Sequence, residues 1–123
     1  MNKTALELSP KEWKKYSLPQ RTVTPEVRAH WNKAWKLIPK LAKQLREDFR
    51  ATKIKVFGSA IKVDYFSMGS DIDLAAWDIP MSKYFTAALA INEFDPDFKV
   101  DLVDPTLCSP KLLNKIEEKG IDV

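Results

Sequence analysis

The sequence has a single cysteine, Cys108, and a single histidine, His30. One cysteine leaves no internal disulfide and suits a reducing compartment, so a cytoplasmic protein is expected. One histidine with no cysteine near it excludes a conventional zinc site. Long apolar runs are also missing. The longest aliphatic stretch is Ala87 to Ile91, far short of the roughly 20 residues a membrane helix needs. No apolar segment follows a basic start in the first 16 residues, so no secretory signal is expected. Internal repeats and low-complexity tracts are lacking as well. What remains is a chain of 123 residues, 45% hydrophobic and 30% charged, with four tryptophans. Such a chain has the composition and length of one packed domain.

The net charge of +3 conceals an asymmetry. Residues 1–53 carry 13 Lys and Arg against 5 Asp and Glu, whereas residues 54–123 carry 7 against 12. A basic half can attract a polyanion or an acidic protein, and an acidic half can hold a cation. A lysine-rich solvated helix face is the simpler reading of the first half.

Residues 1–22 read as an arm with at most one short helix, opened by Ser9–Pro10 and running through Trp13 and Tyr16. Residues 23–123 read as the domain. Thr24–Pro25–Glu26 starts a helix whose apolar positions, from Val27 and Trp31 to Leu45 and Phe49, recur at three- and four-residue steps. Pro39 interrupts it, predicting one bent helix or two in succession. Ile54–Phe57 reads as a strand ended by Gly58-Ser59, and Asp64–Gly69 as a loop or hairpin. Ile72–Trp77 is a second strand. Ser82 is expected to cap a helix to about Phe94, with Tyr84 or Phe85, Leu89 and Ile91 among its apolar positions. Lys99–Val103 is a third strand, and Ser109–Pro110 opens a last helix closed by Gly120 as a C′ residue. The expected class is α/β, a small mixed sheet packed with helices.

Three acids fall where strands present them. Asp71 and Asp73 are two residues apart and leave the same face, while Ile72 and Leu74 point to the other. Asp101 stands likewise between Val100 and Leu102. If the two strands are neighbours, the three carboxylates converge and repel unless a cation neutralises them. Hard divalent cations such as Mg²⁺ take such oxygen ligands, and two ions can share them. Gly58-Ser59, at the end of the preceding strand, offers backbone N–H groups and a hydroxyl to a phosphate, and Lys62 adds a positive charge. Alone, an Asp-x-Asp pair or a Gly-Ser turn is commonplace. Their order and spacing make the combination specific.

The runs Val56-Phe57-Gly58-Ser59-Ala60, Gly69-Ser70-Asp71-Ile72-Asp73-Leu74 and Val100-Asp101-Leu102-Val103 resemble the polymerase-β-type nucleotidyltransferase superfamily. Within it they are most similar to the minimal nucleotidyltransferases (MNT), found as antitoxins of HEPN–MNT toxin–antitoxin pairs. The resemblance covers about residues 27–123, including the closing Lys119-Gly120-Ile121, which is similar to the family's C-terminal end. It implies the nucleotidyltransferase fold, with Gly58, Ser59, Lys62 and Ser70 binding nucleotide. Asp71, Asp73 and Asp101 would be the catalytic, metal-binding acids, holding two Mg²⁺ ions. It further implies transfer of AMP from ATP to a tyrosine hydroxyl of a HEPN-type toxin encoded nearby. Two alternatives stay open: an antitoxin that inhibits its partner by binding alone, and a nucleotidyltransferase acting on a small-molecule hydroxyl. A homo-oligomer is compatible with either; a membrane or nucleic-acid partner is not expected. The chain departs from the family's Gly-Ser-x-Ala-Arg-Gly, reading Gly58-Ser59-Ala60-Ile61-Lys62-Val63. Lysine replaces arginine's fork by a point charge, and valine removes a glycine's freedom. The stretch from Ser59 to Asp71 is also one residue longer than usual.

His30, Trp31 and Trp35 share the first long helix. His30 reads as a structural residue. The tryptophans, with Trp13, offer base stacking or partner docking, but their helical spacing favours packing against the sheet. Cys108 reads as inert.

Overall fold

The computed structural model describes residues 23–123. The arm and its Ser9–Pro10 helix lie outside the described residues. Helix α1 spans Pro25–Phe49, with Thr24 Oγ1 accepting from the Val27 N–H at 3.1 Å. A cap of this kind contributes about 1 kcal/mol. α1 continues through Pro39 as one helix, since the proline lies on the exposed side, where the carbonyl it leaves unbonded can be hydrated. Its buried stripe, from Ala34 through Leu37, Ile38, Leu41 and Leu45 to Phe49, faces the sheet.

The strands are β1 (Lys53–Phe57), β2 (Ile72–Trp77), β3 (Val100–Val103) and β4 (Ile121–Asp122). Helix α2 (Met81–Asn92) joins β2 to β3, and α3 (Pro110–Lys119) precedes β4. Spatial order is β3-β2-β1-β4, with β2 and β3 parallel and the other pairs antiparallel. The expected mixed sheet with helices is thus present, widened by a fourth strand. Two-residue β4 has too little pattern to read from sequence; pairing of Lys55 with Asp122 and Val56 with Ile121 makes it a strand.

Alternation divides the sheet into two unlike faces. Ile54, Val56, Ile72, Leu74, Ala76 and Val100 point into the main core beneath α1 and α2. The opposite face carries Lys55, Phe57, Asp73 and Asp101. Ile116 of α3, fully buried yet separate from the main core, covers part of that second face. The sheet therefore has its apolar layer on one side and its chemistry on the other.

Some local expectations hold and others are corrected. Asp64–Gly69 belongs to a loop: between the antiparallel β1 and β2 the chain forms two short 3₁₀ turns, Gly58–Ile61 and Val63–Tyr65. Phe66, fully buried, anchors this connection. Pro80, not Ser82, occupies the cap position of α2, with no side-chain cap hydrogen bond. Ala87 and Ile91 form the buried side of α2 and Tyr84 is half-buried, whereas Phe85 is 73% and Leu89 44% exposed. α2 is instead tied down by polar contacts: the Tyr84 hydroxyl donates to the Leu102 carbonyl at 2.8 Å, and Val100 N–H donates to Asn92 Oδ1 at 2.9 Å. Burial, and secondarily Asp104, pushes the Tyr84 phenol up to about 12, so it stays a donor at any ordinary pH. Gly120 ends α3 in extended, not left-handed, backbone. Glycine fits there because a Cβ would lie 2.4 Å from the Ile116 carbonyl oxygen.

Candidate active site

The parallel pairing of β2 with β3 places Asp73 directly beside Asp101, on adjacent strands about 4.8 Å apart and on one face. Asp71 lies just ahead of β2, two residues from Asp73. The sequence predicted that the three acids converge if the strands are neighbours, and the strands are neighbours. Each carboxylate is half-buried. The electrostatics register the crowding: burial, then Asp101, then Asp71 push the Asp73 carboxyl from its ordinary 3.8 up to about 6, with Lys99 opposing. A carboxylate so destabilised as an anion is one that a cation would stabilise. Among the described residues no three His, Cys, Asp or Glu side chains close to the spacing of a metal shell. An all-oxygen set of three acids fits Mg²⁺ by donor chemistry.

Gly58 joins the acids to the turn. Antiparallel pairing sets Phe57 opposite Asp73, so the next residue passes over that carboxylate. Gly58 has φ of +76°, and a Cβ on it would fall 2.4 Å from Asp73 Oδ2. Both conditions demand glycine: a left-handed backbone and a close approach that leaves no room for a side chain. The Gly58–Ile61 turn is thereby seated against the acids with Ser59 at its start.

The turn is held from the other side by the tryptophans. Indole N–H groups of Trp31 and Trp35, one helical turn apart on α1, both donate to the Ala60 carbonyl at 2.9 Å. The rings lie tilted at 57° with centroids 6.2 Å apart. Ala60 is fully buried, so this one oxygen receives two donors in place of water. Packing, rather than base stacking, is what these two tryptophans do, and they pin the motif turn while doing it. The helical spacing of Trp31 and Trp35 was visible in sequence; their common acceptor was not. His30 is a structural residue as expected, stacked on Phe98 at 4.5 Å and tilted to Phe66 at 5.6 Å. Cys108 Sγ donates to the Pro105 carbonyl at 3.6 Å.

Two of the expected nucleotide ligands are engaged elsewhere. Ser70 Oγ accepts from the Ser67 N–H at 2.9 Å and lies 3.1 Å from Ser67 Oγ, so it shapes the loop leading to Asp71. Lys62 extends over the Tyr65 ring, its ammonium 5.7 Å from the centroid. It lines a cavity of about 430 Å³ with Tyr65, Glu118 and Lys119. Gly58 and Ser59 instead line a larger cleft of about 560 Å³, walled by Phe57 on the sheet side and by Leu112, Lys115 and Lys119 of α3. Of those α3 lysines, Lys115 belongs to no motif, and Lys119 opens the closing run Lys119-Gly120-Ile121. They share a helix face, which does not reveal what that face meets.

The site therefore joins three carboxylates, a glycine turn pressed against them, and an adjoining cleft rimmed by lysines. Compared with known proteins, the sequence matches no family model and no curated protein.

Proposed function

We propose that the chain is a minimal nucleotidyltransferase that transfers AMP from ATP to a tyrosine hydroxyl of a HEPN-type toxin partner, acting as its antitoxin. The observation that carries the reading is the seating of Gly58 on Asp73. It sets the Gly58–Ile61 turn, which in this reading accepts the phosphates, close beside an acid pair shared between two strands. Asp71, Asp73 and Asp101 would hold Mg²⁺, which when bound supplies positive charge to the phosphates and lowers the pKa of an attacking hydroxyl. Ser59 and the backbone N–H groups of its turn orient the triphosphate along the sheet edge. The hydroxyl oxygen attacks the α-phosphorus in line. A new P–O bond forms as the bond to the β-phosphate oxygen breaks, and pyrophosphate leaves. Asp101, on the edge strand β3, takes the hydroxyl proton. The protein's part is positioning and charge stabilisation rather than covalent chemistry.

A protein acceptor suits α2, where Met81, Phe85 and Leu89 leave large apolar side chains exposed at four-residue steps. Rows of this kind are typical of protein contact surfaces.

The test incubates the full-length protein with α-labelled ATP, Mg²⁺ and the protein encoded next to it, in parallel with Asp71→Asn/Asp73→Asn. Label on the partner with wild type and none with the variant is the expected result. A stable complex that never acquires label would overturn the catalytic reading and leave inhibition by contact.

A further inference from the structure

The cleft beside the Gly58 turn is lined by two lysines that lie outside the glycine-serine and acid motifs. Lys115 and Lys119 face it from α3 together with Leu112. No Asp or Glu is among the residues lining this cleft, whereas the neighbouring cavity sets Glu118 against Lys62 and Lys119. The one cation inside the motif, Lys62, lies over Tyr65 and lines that neighbouring cavity. Gly58 belongs to both features: a Cβ on it would fall 2.4 Å from Asp73 Oδ2, and the residue itself lines the cleft. A polyanion with one phosphorus at the acids can extend past Gly58 and Ser59 into a space whose α3 side carries Lys115 and Lys119. The remaining wall is apolar, from Phe57, Leu112 and the lysine stems, which lowers the local dielectric and strengthens charge contacts. A nucleobase would match the apolar wall but would leave two cations facing a neutral ring.

We propose that Lys115 and Lys119 bind the β- and γ-phosphates of the nucleoside triphosphate, and then the pyrophosphate that leaves. α3 thus completes from the end of the chain a phosphate site begun at Gly58 and Ser59. This rests on the nucleotidyltransferase reading above. The lysines act on the leaving side: charge accumulates on the bridging oxygen as its bond to the α-phosphorus breaks, and two ammonium groups beside it neutralise that charge without a proton transfer.

The experiment measures binding by calorimetry in Mg²⁺ for three probes: an ATP analogue with a methylene bridge between the α- and β-phosphorus, AMP, and inorganic pyrophosphate. Full-length wild type is compared with Lys115→Ala, Lys119→Ala, the double alanine variant and the double arginine variant. Both side chains are exposed, and melting temperatures are recorded alongside. Each single alanine change is expected to weaken the ATP analogue and pyrophosphate about tenfold, the usual scale of a charge-assisted contact, and to leave AMP within about twofold. The double arginine variant restores binding. Equal weakening of AMP and the ATP analogue would place the nucleoside in the cleft and overturn the assignment. Unchanged binding of all three probes would remove the cleft from the site. Either result, in a wild type that binds the ATP analogue, sinks this inference alone. A wild type that binds neither ATP analogue nor pyrophosphate brings down the nucleotide reading with it.

Discussion

Asp73→Asn should make the metal-free protein more stable, because the wild-type carboxylate is ionised at a site that resists its charge. A carboxyl raised from 3.8 to about 6 in the folded state costs that state about 3 kcal/mol once it is fully ionised. Asp73 is only half-buried, and solvent screening halves the figure to about 1.5 kcal/mol. The sign follows from proton binding. Between pH 4 and pH 6 the folded state holds the proton that the unfolded chain has released, so stability falls as pH rises through this window and stays low above it. Asparagine has the same shape beneath Gly58 and carries no charge. The expected gain at pH 8 is about 5–8 °C in melting temperature for a domain of this size. It should shrink toward zero near pH 3.5, where the wild-type carboxyl is protonated in both states. Thermal unfolding followed by circular dichroism, in EDTA and at low ionic strength, measures the difference across pH. Adding Mg²⁺ should raise the wild type more than the variant. A variant no more stable than wild type at pH 8, or a gain equal at pH 3.5 and pH 8, would refute the argument from crowded charge.

Two further outcomes follow from the turn. Gly58→Ala forces a Cβ into left-handed backbone and against Asp73 Oδ2; a loss of about 2–3 kcal/mol in urea unfolding is expected, with nucleotide binding abolished. Trp31→Phe and Trp35→Phe should each cost little beyond the lost ring volume, because the remaining indole still satisfies the Ala60 carbonyl. The double change leaves that buried oxygen bare, so a double-mutant cycle should give a loss exceeding the sum of the singles by about 1 kcal/mol or more.

Much of the fold was legible because its signals are local. Thr24–Pro25 and Ser109–Pro110 start helices through their own side-chain and backbone chemistry, and both caps are present. Ile72-Asp73-Leu74 alternates for reasons of strand geometry alone. The misjudged points depend on neighbours. Phe85 and Leu89 count as apolar in any pattern, yet among the described residues nothing covers their side of α2. Ser82 has the chemistry of a cap, but the tight exit from β2 starts the helix two residues too early for it. Lys62 is the cation of the motif, and the second 3₁₀ turn directs it to Tyr65.

The division at the site has the same physical origin. Residue type and spacing along the chain were enough to name the three acids, the glycine and the serine, since a two-residue step along a strand already puts Asp71 and Asp73 on one face. Their meeting was not readable there. Asp73 reaches Asp101 only because β2 pairs in parallel with β3, and Gly58 reaches Asp73 only because β1 pairs antiparallel with β2. Lys115 and Lys119 reach the turn only because α3 packs back on the face that carries the acids. Contacts between residues far apart in the chain are set by which apolar faces bury one another, and that choice is made by the whole core at once.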